Sequence, residues 1–395
     1  MNGMNMLSYN DLPPSTTVTD PTVHVTLPAV QLAPSTPVEF PMTWLLEHAS
    51  NAIRYRAIAD VGRLSGEAMK EAVVLAYAYP PALTLAMAQS VDGIWNGSML
   101  EVPSARAEHF EGVGTINAFR RLLEYGWDKD SPPLLRTRRV LFRLLAEDND
   151  PAYAFELAPP KGEDSFDLLK RGRAILREAA AAALAQAGYE GDPRLRGAAR
   201  RILDRIDAYL RSALAHKPWV RVGNKQVLAA EAAPPSIYAL SMLAHMPLFR
   251  NENHVALDRL FQFVSQPLPR QEAAQLYGST VVEQPHLVLG DMLANRNVAD
   301  ADVPFALSWL ELMARLGFLR KNEGWSKLFE RFLDDRDRDL VWHPHKGMAM
   351  PKSTNPFVWP SFPLEQMTQG DERWTDVTFR LGLIARLSGR PLELI

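Results

Sequence analysis

There is no cysteine anywhere in the 395 residues, which rules out disulfides, thiolate nucleophiles and every zinc site that depends on Cys ligands. Any catalysis must come from His, carboxylates, hydroxyls or Lys. The lack of disulfides fits a reducing compartment, so a cytoplasmic location is expected. Long apolar runs are missing too: no stretch of about eighteen apolar residues occurs, and no bilayer-spanning helix is expected. Nor is there a surplus of charge. With 43 basic and 46 acidic residues, the net charge of -3 gives no overall field to draw nucleic acid or an anionic membrane. Walker loops, dinucleotide fingerprints and serine-nucleophile elbows are all absent, and Gly112-Val113-Gly114 alone is too short to count as one.

Basic residues are also absent from the start of the chain, where no Lys or Arg precedes Arg54 and six prolines fall in the first forty residues. That composition lacks the basic start of a secretory signal and the Arg of a transit peptide. Residues 1–40 therefore read as an extended Pro/Thr-rich arm, with a short alternating stretch from Val23 to Leu27 bracketed by Pro21 and Pro28.

From Pro41 onward the apolar residues recur three and four apart, as in Trp44, Leu45, Ile53, Tyr55, Ile58 and Val61, and strand signals are scarce. A punctuation recurs at the ends of these helical stretches: Asp60-Val61-Gly62, Glu124-Tyr125-Gly126, Gln186-Ala187-Gly188, His245-Met246-Pro247, Arg315-Leu316-Gly317 and Leu387-Ser388-Gly389. Five of the six marks are Gly, as a left-handed helix cap prefers. They stand 64, 62, 59, 70 and 72 residues apart, the beat of a divergent repeat long enough for two helices and a loop. HEAT and armadillo pairs repeat at about 40 to 47 residues, so this beat argues against an open solenoid of that type. Six helix pairs lead to the expected fold: an all-α, (α/α)6 toroid as a single domain over residues 41–395.

The tightest pattern is Leu85-x3-Gln89-x3-Gly93-x-Trp95, with a degenerate copy at Phe332-x3-Arg336-x3-Leu340-x-Trp342. This pattern resembles the QW motif of the squalene and oxidosqualene cyclases, in the terpene-cyclase-like α/α-toroid superfamily. The resemblance covers residues 42 to 395 as a single ring. It implies that Gln89, Gly93 and Trp95 brace the outer helices, and that Gly114 to Phe119 begin an inner helix of small residues. The family's protonating Asp-x-Asp-Asp motif is missing; Asp300-Ala301-Asp302-Val303 is the nearest string.

Candidate chemistry concentrates near the C-terminus. Asp334, Asp335 and Asp339 belong to a run of alternating acids and arginines that reads either as a Mg2+ and diphosphate site or as a salt-bridged turn. The interleaved Arg336 and Arg338 favour the turn. His343 and His345 could begin a metal site or supply an acid and a base, but Pro344 between them tends to turn the two rings apart. The segment from Trp342 to Glu365, rich in Pro and aromatics, reads as a flap or a packed connector. Its Trp342, Phe357, Trp359 and Phe362 are the candidate cavity residues. The arginines at 136, 139 and 143 and at 194, 200, 201 and 205 sit among Glu147, Asp204 and Asp207, so they read as exposed helix surface and no nucleic-acid partner is expected.

Two functions follow as expectations. One is a toroid without the usual cyclase chemistry that binds an apolar small molecule or a partner protein. The alternative is an isoprenoid or terpene cyclase, or a related lyase, that uses Mg2+ on a prenyl substrate. Sugar chemistry would need paired carboxylates facing one cleft.

Overall fold

The computed structural model describes residues 37–146, 165–294, 296–344, 351–353, 355–365 and 374–395. The expected arm as far as residue 36, and His345, lie outside the described residues. In chain order the elements are β1 (Val38–Phe40), α1 (Met42–His48), α2 (Asn51–Arg56) running into a π-helical turn (Ala57–Gly62), α3 (Glu67–Tyr77), α4 (Pro80–Met87), α5 (Thr115–Glu124) and α6 (Pro132–Leu144). There follow α7 (Ser165–Gln186), α8 (Pro193–Arg211), β2 (Trp219–Val222), β3 (Lys225–Leu228), α9 (Ile237–Ala244), α10 (Pro247–Glu252) and α11 (His254–Val264). The chain ends with β4 (Ala274–Tyr277), β5 (Thr280–Glu283), α12 (Arg296–Ala301), α13 (Val303–Arg315), α14 (Glu323–Asp334), α15 (Trp374–Leu387) and β6 (Leu392–Leu394).

The expectation of an all-α (α/α)6 toroid is corrected by these strands. The protein is about 54% helical but carries six strands in two sheets among the described residues, a mixed α/β architecture. One sheet pairs β1 with β6 in parallel, Val38 opposite Leu392. The other has the order β2-β3-β4-β5, two hairpins joined by a parallel contact between Leu228 and Gln275. Both hairpins turn on two-residue loops, Gly223-Asn224 and Gly278-Ser279, with each glycine at positive φ. Their flanks, Trp219-Val-Arg-Val222 and Thr280-Val-Val-Glu283, are β-branched and too short for a helical period.

Four of the five glycine marks cap helices as expected, whereas Gly62 stays within the π-helical turn and the left-handed residue there is Arg63, at φ 51°. Gly126, Gly188, Gly317 and Gly389 sit at φ of 90°, 80°, 75° and 78°, the left-handed region that only Gly enters without strain. Each carries the same pair of bonds. After α5, Gly126 N–H donates to Leu123 O and Trp127 N–H to Leu122 O; after α7, Gly188 N–H donates to Ala185 O and Tyr189 N–H to Leu184 O. The ends of α13 and α15 repeat this Schellman arrangement, which satisfies carbonyls that the helix leaves unpaired. Helices α6, α8 and α10 then restart on Pro132, Pro193 and Pro247, whose missing N–H costs nothing in a first turn.

Packing follows from small and apolar faces. Ala179 to Ala183 of α7 are fully buried, and so are Ala239, Leu240, Met242 and Leu243 of α9, so these two backbones approach closely. Helix α7 also packs on α5, α6 and α8; α13 packs on α9 and α15; and α15 packs on α2 and the π-helical turn. The buried helices thus touch in the order α5, α7, α9, α13, α15. No helix among the described residues is long and apolar enough to cross a membrane.

Candidate functional site

The first residue of five punctuation marks, Asp60, Glu124, Gln186, His245 and Arg315, turns out to build one polar network. Each lies on the last turn of a buried helix or in the turn that follows it, two residues before the mark. Arg56, Arg120, Ser241 and Glu311, one helical turn earlier, stand on the same faces. Arg380 of α15 reaches in from the other side.

Glu124 Oε2 accepts from Arg56 Nη1 at 2.7 Å and from Arg380 Nη2 at 2.8 Å, while its Oε1 accepts from Gln186 Nε2 at 2.8 Å. Arg56 also pairs with Asp60. Glu311 accepts from Arg380 Nη1 at 2.8 Å and from Arg315 Nε at 2.9 Å. Burial alone would raise the Glu124 carboxyl, but the guanidinium groups of Arg56 and Arg380 overcome it and hold Glu124 well below the usual carboxylate range. Arg120 differs. Its Nε donates to Gln186 Oε1 at 2.8 Å and its Nη2 to Ser241 Oγ at 3.3 Å, both neutral acceptors, and burial pushes it down from its ordinary value.

Of these, Arg120, Glu124, Gln186, Ser241, Glu311 and Arg315 line a cavity of about 60 Å³, together with Tyr238, Ser308 and Phe357. His245 lies on its wall. The Nδ1–H donates to Ser241 O at 2.9 Å, which leaves Nε2 as the acceptor of a neutral ring. Burial, reinforced by Arg315 and Arg120, pushes this imidazole down to about 3, so it is uncharged at neutral pH.

Tyr238 and Phe357, edge to face with centroids 5.6 Å apart, also line a second cavity of about 330 Å³. That cavity shares Arg171, Ile175, Tyr277, Gln284 and His286 with a third of about 500 Å³. The shared walls make one groove between the first half of α7, the β4–β5 hairpin, the chain before α9 and the segment that follows β5. Gln275, 1% exposed, ties the sheet to the chain before α9 by donating to Ala229 O and Ala232 O at 2.8 and 2.6 Å. Arg171 lies 4.3 Å over the Tyr277 ring and donates to Gln275 Oε1. Burial raises the Tyr277 hydroxyl to about 12 and lowers His286 to about 4, so both stay neutral at physiological pH. Glu178 accepts from Arg205 and from Ser236, the residue that also caps α9.

Residues 355–365 close the arrangement. Arg121 donates to the carbonyls of Trp359 and Pro363, Arg380 to Ser361 O, and Tyr79 Oη to Leu364 O. Asp376 accepts from the Leu364 and Glu365 amides; burial, with the nearby Glu365 carboxylate, raises it to about 6.

The residues singled out in the sequence are scattered. Phe357 lines both the inner cavity and the groove. Trp359 is covered by the Arg121 guanidinium at 5.1 Å and meets Phe110 edge-on. Phe362 and Trp342 are core residues. Gln89 Nε2 donates to Pro133 O and Thr137 Oγ1, both at 2.8 Å, which ties the end of α4 to α6, while Trp95 Nε1 donates back to Leu85 O. A Cβ on Gly93 would meet the Arg136 carbonyl carbon at 2.9 Å. The degenerate copy keeps this trajectory: Leu340 takes a φ of 62° against 81° at Gly93, and the Trp95 and Trp342 amides each donate to a threonine hydroxyl, Thr115 and Thr378, at 3.1 Å.

The acidic run does not fit a Mg2+ site. Asp334 ends α14 in solvent and Asp339 is exposed, while the Asp337 carboxylate accepts from the Asp339 and Val341 amides and faces His343 Nε2 at 3.0 Å. Asp335 caps the helix. Among the described residues no three of His, Asp or Glu converge in a geometry that could hold a metal ion. No protein-family model, curated protein or solved structure matches this chain.

Proposed function

We propose that the protein binds one small organic molecule in the groove beside α7. The observation that carries this reading is the pair of joined cavities, of about 500 and 330 Å³, whose size suits a drug-sized ligand. Their lining combines apolar walls from Ile175, Leu287 and Phe357 with polar and charged groups, among them Arg171, Glu178, Arg205, Gln284 and His286. Such a mixture favours a molecule with an apolar body and polar edges, an isoprenoid derivative among the candidates. Asp334, Asp335 and Asp339 are not among the groove's lining residues, so the reading includes no metal-assisted ionisation. A cytoplasmic location is part of the proposal, supported by the complete lack of cysteine.

The test is mass spectrometry of the purified protein under non-denaturing conditions, compared with Ala174→Trp, which fills the groove from α7 without removing a polar group. Wild type is expected to carry one small-molecule adduct that the variant lacks. An adduct retained equally by both would place the ligand elsewhere and end this reading.

A further inference from the structure

We propose that the groove selects a ligand with a planar lactam edge, one N–H beside one C=O, and that the Gln284 side chain pairs with that edge. The inference rests on the groove reading and adds the chemistry by which the groove recognises its ligand.

Two buried glutamines line the groove, and they differ in one respect. Gln275 uses its whole side chain: the amide nitrogen donates to Ala229 O and Ala232 O, and the amide oxygen accepts from Tyr277 Oη and Arg171 Nη1. Gln284 is 6% exposed, yet its side-chain amide makes no hydrogen bond with any described residue. Only its backbone is engaged, the N–H donating to Ala273 O at 2.6 Å and the C=O accepting from Leu287 N–H at 3.0 Å. Buried polar groups are nearly always satisfied, because an amide left unpaired inside a fold is costly. Both cavities of the groove open onto this amide, so its partner comes from the groove.

A primary amide presents donors and an acceptor in one plane, and it pairs in both directions at once with an edge that offers an acceptor beside a donor. An open-chain secondary amide is trans and points its two groups opposite ways, so a side-by-side pair belongs to a ring. His286 follows in the turn that the Leu287 bond closes, and it lines the same two cavities. Its ring makes no hydrogen bond with any described residue and lies against Tyr238, centroids 6.4 Å and planes 28° apart. Burial holds the imidazole neutral, which adds one donor and one acceptor to this wall. Charge in the lining balances: among the described residues Lys170, Arg171 and Arg205 are matched by Glu178, Glu231 and Glu283, and Arg205 pairs with Glu178. Recognition therefore falls to the neutral Gln284 and His286, beside the apolar surface of Ile175 and Phe357.

The test is calorimetric titration with 2-quinolone, a flat bicyclic lactam, and with N-methyl-2-quinolone, which keeps the ring body and loses the N–H. Wild type should bind 2-quinolone at one site and the N-methyl compound about tenfold or more weakly, the loss that one unmade hydrogen bond to a buried group carries. Gln284→Met, of similar length and without an amide, should bind the two compounds alike. Without ligand it should be at least as stable as wild type, because an unpaired buried amide has been removed. Gln284→Leu serves the same comparison if Gln284→Met does not fold. Equal binding of the two compounds to wild type, the outcome if water alone satisfies Gln284, would overturn the proposal. So would no binding of either, or a difference that persists in the Gln284 variants. Ala174→Trp tells the two readings apart: 2-quinolone binding that survives it counts against the groove itself, whereas equal binding that it abolishes leaves the groove standing and removes only the lactam edge.

Discussion

Asp376 shows how a single buried carboxyl can connect stability to pH. Burial and the neighbouring Glu365 raise it from 3.8 to about 6, against the pull of Arg380 and of the two amides it accepts from. A carboxyl raised in the folded state is bound to its proton more tightly there than in the unfolded chain. Its contribution is therefore full below pH of about 4 and fades as pH climbs through about 6. The unfolding free energy of wild type, measured against Asp376→Asn in urea, should fall by on the order of 2–3 kcal/mol between pH 4 and pH 7. A flat difference across that range would mean that Asp376 is not protonated in the fold. The same scale explains what the sequence did and did not show of the site. Glu124, Gln186, His245 and Arg315 all stand in the punctuation marks, but a polar residue just before a helix cap is usually solvated. Only the packing of α5, α7, α9 and α13 turns these four toward one another. Asp334, Asp335 and Asp339 are close in sequence, yet at a helix end such closeness leaves Asp334 and Asp339 in water and Asp335 as the half-buried cap.

Among the elements, helix ends were the most legible part of the chain, because a cap is decided locally. The left-handed glycines after α5, α7, α13 and α15 stand where the marks predicted them. Two of them should respond differently to substitution. Gly188 has open space where a Cβ would go, whereas a Cβ on Gly126 would meet the Tyr55 ring. Gly188→Ala should therefore cost about 1–2 kcal/mol, the strain of a left-handed non-glycine residue. Gly126→Ala should cost clearly more in the same urea titration, and equal losses would refute the packing described around Tyr55. Strands were missed for a physical reason. β2 to β5 are four residues each, so they bury little surface of their own and leave little period to detect. The Gly223-Asn224 and Gly278-Ser279 loops were the available signal, and they were masked by the helical punctuation on both sides. The pairing of β1 with β6 joins the two ends of the described chain, and no local pattern announces it.

At the scale of the whole molecule, the site exists only through contacts distant in sequence. Arg171 meets Gln275 across 104 residues, and Arg380 meets Glu124 across 256. The expected all-α toroid left no place for the four-stranded sheet, and it is this sheet that supplies Gln275 and Tyr277 to the groove. The central claim is that the groove binds one small organic molecule, and the most direct test is a fluorescence titration with 1-anilinonaphthalene-8-sulfonate, an aromatic body bearing an anionic group. Wild type should bind the dye at one saturable site, and Ala174→Trp, folded to the same extent by circular dichroism, should not bind it. Binding that is unsaturable, or that survives the filling of the groove unchanged, would contradict the account.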